Sequence, residues 1–227
     1  MFDLYIGNKN YSSWSLRPWV LMRELGIPFR EIVVPFGGTA NPDAFRAFSP
    51  TGKVPCLVDG DITVWDSLAI TEYVGERHAG VWPAEAAARA WARCAAAEMH
   101  SGFQALRNTC GMNCGLRIRL HAVDAALARD LRRLEDLWAD GLVRFGGPFL
   151  TGPRFCAADA FFAPVAFRIQ TYDPPLGADA RRYVSQLLAL PSLAQWYEAA
   201  LAETWRDAEH EDEVRGVGVW TQDLRAL

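Results

Sequence analysis

The run Asn10-Tyr11-Ser12-Ser13-Trp14-Ser15-Leu16-Arg17-Pro18 sets two hydroxyls directly ahead of a segment with helical periodicity. A helix start carries unsatisfied N–H groups and a partial positive charge, so an anion lying beside Ser12 and Ser13 is stabilised there. A thiolate is such an anion. An ordinary thiol titrates at about 8.5, and each unit of lowering needs about 1.4 kcal/mol, within reach of one hydroxyl donor and a helix end. The same serines also suit plain N-caps, and the run alone leaves both roles open. Pro18 lacks an N–H and clashes with the carbonyl four residues back, which predicts a helix beginning near Ser15.

Two more runs carry hydrogen-bonding groups. In Gly52-Lys53-Val54-Pro55, a cis bond at Pro55 would turn the N–H and C=O of Val54 toward a peptide-like ligand, while a plain turn proline is the alternative. In Trp65-Asp66-Ser67-Leu68-Ala69-Ile70, Asp66 and Ser67 can cap a helix. The same free N–H groups and hydroxyl suit a bound carboxylate, while Asp66 suits an ammonium. A group carrying both charges is the α-amino-acid end of a γ-glutamyl peptide.

These runs need a scaffold. Residues 4–7 and 29–34 read as strands around a helix over 15–25, closed by Gly26 and Pro28. After a loop rich in Gly37, Gly38, Asn41 and Pro42, strands over 56–58 and 62–65 flank the hairpin signal Asp59-Gly60-Asp61, and a helix follows over 67–78. The order β-α-β then β-β-α, with a parallel first pair and an antiparallel second pair, is a thioredoxin-like mixed sheet. Beyond a linker at 80–83 the composition shifts to Ala, Leu, Arg and Trp at helical spacing. Helices are expected over 85–108, 123–140, 157–170 and 192–203. The reading is therefore an α/β domain over 1–79 and an all-α domain over 85–227.

With 23 Lys and Arg against 27 Asp and Glu, the 227-residue chain carries a net charge of −4, and no basic run offers a patch for nucleic acid. No apolar stretch reaches the roughly 20 residues that cross a bilayer, and Met1-Phe2-Asp3 lacks the basic start of a signal peptide. A cytoplasmic protein is expected, with no membrane partner. The five cysteines, Cys56, Cys94, Cys110, Cys114 and Cys156, are an odd number and fit free thiols in a reducing compartment. Cys110 and Cys114 lack a second pair, so no zinc site is expected.

The three runs, in this order on these elements, resemble the cytosolic glutathione S-transferases, strongly over residues 4–78 and more loosely beyond. The resemblance implies that Ser12 donates to the glutathione thiolate, with Ser13 beside it. It further implies that Val54 pairs with the cysteinyl backbone, that Asp66 and Ser67 hold the γ-glutamyl end, and that Lys53 reaches the glycyl carboxylate. Glutathione is then a co-substrate and no metal or organic cofactor is required. The Ser-Ser-x-Ser-x-Arg run looks most like the zeta class, whose members include maleylacetoacetate isomerases. The third position, Cys in that class, is Trp14 here, which excludes cysteine-based disulfide exchange at this site. Phe155-Cys156-Ala157-Ala158-Asp159 matches the family's helix-capping box with Cys156 in place of Ser or Thr, making Asp159 structural.

Tyr11, Trp14 and Phe36 are candidates for the electrophile pocket. Arg93, His100 and Arg107, with Gln104 between, recur at seven-residue spacing as a polar stripe, which fits a solvated or subunit-facing surface as well as a pocket wall. His100, with Glu98 near it, is a candidate acid or base, and Tyr5 is a rival thiol donor. The expected activity is attack of bound glutathione on a small electrophile by a homodimer, with Trp82 and Trp91 as candidate interface residues. A glutathione-dependent cis-trans isomerase and a non-catalytic glutathione-binding protein are the alternatives. Residues 209–227 are acidic and then apolar, which suits either a lid or a packed tail.

Overall fold

The computed structural model describes residues 1–36 and 44–225. The Gly/Pro/Asn-rich loop containing Gly37, Gly38, Asn41 and Pro42 lies outside the described residues, as does the end of the C-terminal segment.

In β1 (Phe2–Ile6), Phe2, Leu4 and Ile6 alternate inward, so one face of the strand is core. β1 pairs in parallel with β2 (Phe29–Val33), Phe2 opposite Phe29 and Ile6 opposite Val33. On its other edge β1 pairs antiparallel with β3 (Cys56–Asp59), which turns through Gly60, at φ 59°, into β4 (Ile62–Trp65). The resulting order β2-β1-β3-β4 is the expected mixed, thioredoxin-like sheet. Helices α1 (Ser13–Glu24) and α2 (Ser67–Gly75) cover it, burying Leu16, Trp19, Val20, Ile70 and Val74 with Leu57.

α1 starts at Ser13, with Ser12 as its N-cap, two residues earlier than Pro18 suggests. Pro18 therefore sits in the helix interior. The burial of Leu16, Trp19, Val20 and Leu21 outweighs the one backbone bond that proline removes. α2 ends at Gly75 rather than near His78. A Cβ at Gly75 would lie 3.1 Å from the side chains of Val81 and Trp82, so the chain turns there to let the connection pass.

The second domain is helical: α3 (Ala86–Ser101), α4 (Gln104–Thr109), α5 (Ala125–Phe145), α6 (Ala157–Tyr172), α7 (Ala178–Leu188), α8 (Pro191–Ala202) and α9 (Ala208–Arg215). α6 is buried along nearly its whole length and packs on α1, α3 and α7, which fixes the two domains against each other. To this bundle is added a ribbon of β5 (Leu116–Leu120) and β6 (Gly218–Asp223), which the helical periodicity did not announce. The single helix expected over 85–108 is two. Gly102 ends α3, and Phe103 takes the left-handed conformation (φ 57°), burying its ring in the core. Trp82 is buried rather than surface, and Trp91 donates to Asp140 at 2.6 Å while lying edge-on to Phe145. No helix among the described residues is long and apolar enough to cross a membrane.

Asp159, fully buried at the start of α6, organises that helix. Its Oδ2 accepts from the N–H of Cys156 at 3.0 Å, and its Oδ1 accepts from the N–H of Leu150 at 3.0 Å and the Tyr183 hydroxyl at 2.9 Å. Burial pushes its carboxyl up to about 6 against the pull of these donors. Asp159→Ala strands three buried donors at about 1–3 kcal/mol each, so a loss of roughly 3–5 kcal/mol and a melting point lower by about 10 °C are expected. Because the folded protein holds this proton more tightly than the unfolded chain, the group's contribution is fullest below about pH 4 and is lost as pH rises through about 6. Denaturant titrations from pH 4 to 7 should show that slope in the native protein and lose it in Asp159→Asn.

Candidate functional site

The N-terminal end of α1 borders two adjoining hollows. One, of about 430 Å³, is lined by Trp14, Thr51, Lys53, Val54, Pro55, Trp65, Asp66 and Ser67. All five residues expected to bind glutathione meet there. The Val54–Pro55 bond is cis, and Val54 precedes β3, outside the strand ladder. Asp66 takes φ 76° and caps α2, its Oδ1 accepting from the N–H of Leu68 at 2.8 Å. Ser67 is buried and receives Nη1 of Arg17 at 3.4 Å, whereas Lys53 is exposed at the rim.

The second hollow, of about 310 Å³, shares Trp14, Lys53 and Val54 with the first and continues past Tyr11, Ser12, Ser13 and Phe36 to Arg107 and Arg168. The Ser12 hydroxyl donates to Ser15 Oγ at 2.7 Å and accepts, at 3.4 Å, from the N–H of Ser15, so it caps the helix at the wall of this second hollow. Ser13 Oγ accepts from Nη2 of Arg168 at 3.4 Å, which leaves its own proton to give. Tyr5 stacks on Phe48 with ring centroids 4.1 Å apart and lines neither hollow.

Arg107 is not part of an exposed stripe. The break after α3 folds it back so that it donates to the carbonyls of Gly102, at 2.9 Å, and Met99. Arg168 donates to the carbonyls of Cys110 and Arg107. Burial pushes Arg107 down to about 10, helped by the neighbouring charge of Arg168, and lowers Arg168 as well. Both remain cations at neutral pH. Arg93 pairs with Glu72 and Gln104 donates to Ser101 O, so the expected stripe dissolves into separate contacts.

His100 lines neither hollow. Glu98 is taken by Arg133 at 2.6 and 2.8 Å, and His100 Nε2 lies 3.4 Å from Asp66 instead. Burial lowers the imidazole below its ordinary range, so at neutral pH it meets Asp66 as a neutral ring across the domain boundary. His100, the candidate acid or base of the electrophile pocket, thus lies outside the hollows and meets Asp66 rather than Glu98.

The C-terminal segment is both lid and packed tail. β6 pairs with β5, while α9 brings His210, Glu213 and Val214 to the second hollow. The Tyr11 hydroxyl donates to Glu211 at 2.5 Å, and buried Arg225 forms an ion pair with the same carboxylate and with Asp223 at 2.6 Å. Burial and Glu211 raise the Tyr11 phenol to about 12, so it stays protonated as a donor to that latch. Arg168 and the α9 residues were missed in the sequence. A lone Arg inside the apolar run of α6 was the available signal for the first, and for the second there was no local signal.

Residues 11–77 match the family description glutathione S-transferase, N-terminal domain, and residues 84–199 match glutathione S-transferase, C-terminal domain. The chain belongs to the glutathione S-transferase family. A stretch of 65 residues is 45% identical to a dichloromethane dehalogenase of Methylorubrum extorquens, a match covering 27% of this chain and only 23% of that protein. Glutathione S-transferase Z2 of Arabidopsis thaliana is 28% identical over 71% of this chain and 70% of its own. Among solved structures, a glutathione transferase homolog from Burkholderia GL BGR1 with bound glutathione superposes with a TM-score of 0.65 at 25% identity, over 88% of this chain and 97% of that one. A maleylacetoacetate isomerase from Methylobacterium extorquens AM1 with bound malonate and glutathione gives 0.61 at 25% identity, over 86% and 95%.

Removing one partner of a buried ion pair costs about 3–5 kcal/mol. Arg225→Met is therefore expected to release α9 and β6, read as faster amide hydrogen exchange over residues 208–223 with the first domain unchanged. Unaltered exchange there would show that the pair does not hold the tail.

Proposed function

We propose that the protein is a glutathione transferase that uses a small, carboxylate-bearing electrophile. One observation carries the reading: Lys53, Val54, Pro55, Asp66 and Ser67 line a single hollow that opens, across Trp14, onto Ser12 and Ser13. Asp66 suits the γ-glutamyl ammonium, Ser67 and the first turn of α2 suit its carboxylate, and Val54 offers backbone groups to the cysteinyl unit. Glutathione seated this way brings its sulfur to the start of α1. There a hydroxyl proton and the helix end favour the thiolate over the thiol. The glutathione-bound neighbour of the same fold supports this placement.

For Ser12, donation to sulfur means turning its hydroxyl away from Ser15 Oγ. Ser13 needs no such exchange, since Arg168 is a donor to its oxygen. The second hollow supplies the substrate class. Arg107 and Arg168 are desolvated cations whose hydrogen-bond partners among the described residues are carbonyl and hydroxyl oxygens, and an incoming carboxylate would complete them. Catalysis is by positioning and by stabilising the sulfur anion, without a covalent enzyme intermediate.

The same cations favour a second reading, a glutathione-dependent cis-trans isomerase acting on a maleyl-type diacid, which the malonate-bound isomerase neighbour supports. There the thiolate adds and then departs, so glutathione is recovered and the product is an isomer. Analysis of products from a maleyl keto acid separates the two: adduct accumulation supports the transferase, isomer with glutathione unchanged supports the isomerase.

The deciding experiment is a pH titration of thiolate absorbance for glutathione mixed with the protein. A bound-thiol pKa at least a unit below the ordinary value of about 8.5 is expected, moving back up in Ser12→Ala or Ser13→Ala and staying put in Tyr5→Phe. A shift lost only in Tyr5→Phe would overturn the serine assignment. Binding without a shift would support a non-catalytic protein, and no binding would overturn the glutathione reading.

A further inference from the structure

The hollow that holds Arg107 and Arg168 is also lined by His210 of α9, the one imidazole it contains among the described residues. Its Nδ1 lies 2.5 Å from Oδ2 of Asp207, whose carboxylate is buried. Asp207 already caps α9 through its bond to the N–H of His210 at 3.2 Å, so the helix does not need an imidazole at this position. The ring stacks on Tyr11 at 5.1 Å and on Phe36 at 5.2 Å, both from the first domain. These contacts fix its plane at the wall of the hollow.

A carboxylate only accepts, so the proton of the neutral ring belongs on Nδ1, and Nε2 is the atom that gains or gives up a proton. The charged groups around it are Asp207 and Glu213 on its own element, Arg107 and Arg168 from the second domain and Lys53 from the first, with the Glu211–Arg225 pair on the hydroxyl of Tyr11. Tyr11, from the first domain, is neutral because burial raises its phenol. An Asp–His pair whose imidazole lines a substrate-sized cavity is the arrangement of a proton-transfer group.

We propose that His210 is the proton donor to the electrophile, with Asp207 its positioning residue. This rests on the transferase reading above. As the glutathione sulfur forms its bond to the β-carbon of a conjugated carbonyl, the carbon–carbon π pair moves toward the carbonyl oxygen. Nε2–H of the imidazolium gives its proton to the resulting enolate, and the neutral ring is reprotonated from solvent. The thiol proton lost on forming the thiolate balances the proton delivered. Where the leaving group is chloride, the electron pair departs with it and no proton is needed.

The test compares two probes: ethacrynic acid, a conjugated ketone with a carboxylate, and chlorodinitrobenzene, which expels chloride. His210→Gln keeps a hydrogen-bonding side chain without proton exchange, and Asp207→Asn keeps the cap. In both variants kcat/KM for ethacrynic acid is expected to fall by about 100-fold. The loss for chlorodinitrobenzene is expected to be at least about tenfold smaller than that for ethacrynic acid, with the bound-thiol pKa within a few tenths of a unit of the native value. Equal losses on both probes would make His210 a structural staple of the tail and overturn the proposal. So would unchanged rates on both, or a native protein that turns over chlorodinitrobenzene but not ethacrynic acid. If the native protein binds no glutathione, it is the transferase reading that fails; if it binds glutathione and both variants match it, only the role of His210 does.

Discussion

The site depends on a buried loop. Residues 8–12 between β1 and α1 are almost wholly inaccessible, a position loops seldom take because their backbone polar groups then lose water. Here the second domain replaces the water. The Glu203 carboxylate accepts from the N–H groups of Lys9 at 2.6 Å and Asn10 at 3.1 Å, Trp196 Nε1 donates to Lys9 O at 2.9 Å, and the N–H of Cys114 donates to Asn10 O at 3.1 Å. The Asn10 side chain reaches Asn113 and the N–H of Gly115. The serines that face the cleft are therefore held by a part of the chain nearly two hundred residues away, and neither domain alone can orient them.

The cost of that arrangement is borne as buried charge. Burial raises Glu203 even with two N–H donors on it, and it lowers Arg17, Arg107 and Arg168. Such groups weaken a core unless they are paired, and an apolar replacement is often the more stable choice. Two of them, Arg107 and Arg168, line the same hollow, which fits a surface built to meet an anion rather than one built for stability.

Local chemistry was legible in the sequence where the signal is local. The hairpin at Asp59-Gly60-Asp61 and the capping pairs Asp66-Ser67 and Cys156-Asp159 each depend on a few adjacent residues and sit where their spacing places them, and the serine run still opens α1, though two residues earlier than Pro18 suggests. The misses share a different cause. Gly102 and Phe103 break a helix because the Phe103 ring is drawn into the core, which helical spacing does not reveal. α9 and β6 are weak segments alone and are fixed by Arg225, Tyr11 and strand β5. The partner of His100 was misjudged because proximity in sequence favoured Glu98 while the fold brings up Asp66.

Trp14 shows why a departure from the family pattern is not simply a loss. Arg17 is fully buried, and its Nε and Nη2 have no hydrogen-bond partner among the described residues. Buried polar atoms of this kind call for an explanation. The guanidinium lies 4.1 Å from the Trp14 ring centroid and 4.9 Å from that of Phe161, so two aromatic faces take the place of acceptors. The outer side of the problem is solved by the same ring, with Arg107 4.8 Å from its centroid and His100 edge-on at 5.2 Å. A cysteine at this position would leave Arg17 without that face. The indole thus gives up thiol chemistry and in exchange forms the wall between the two hollows, tying the cation beneath Ser67 to the cation that lines the electrophile side.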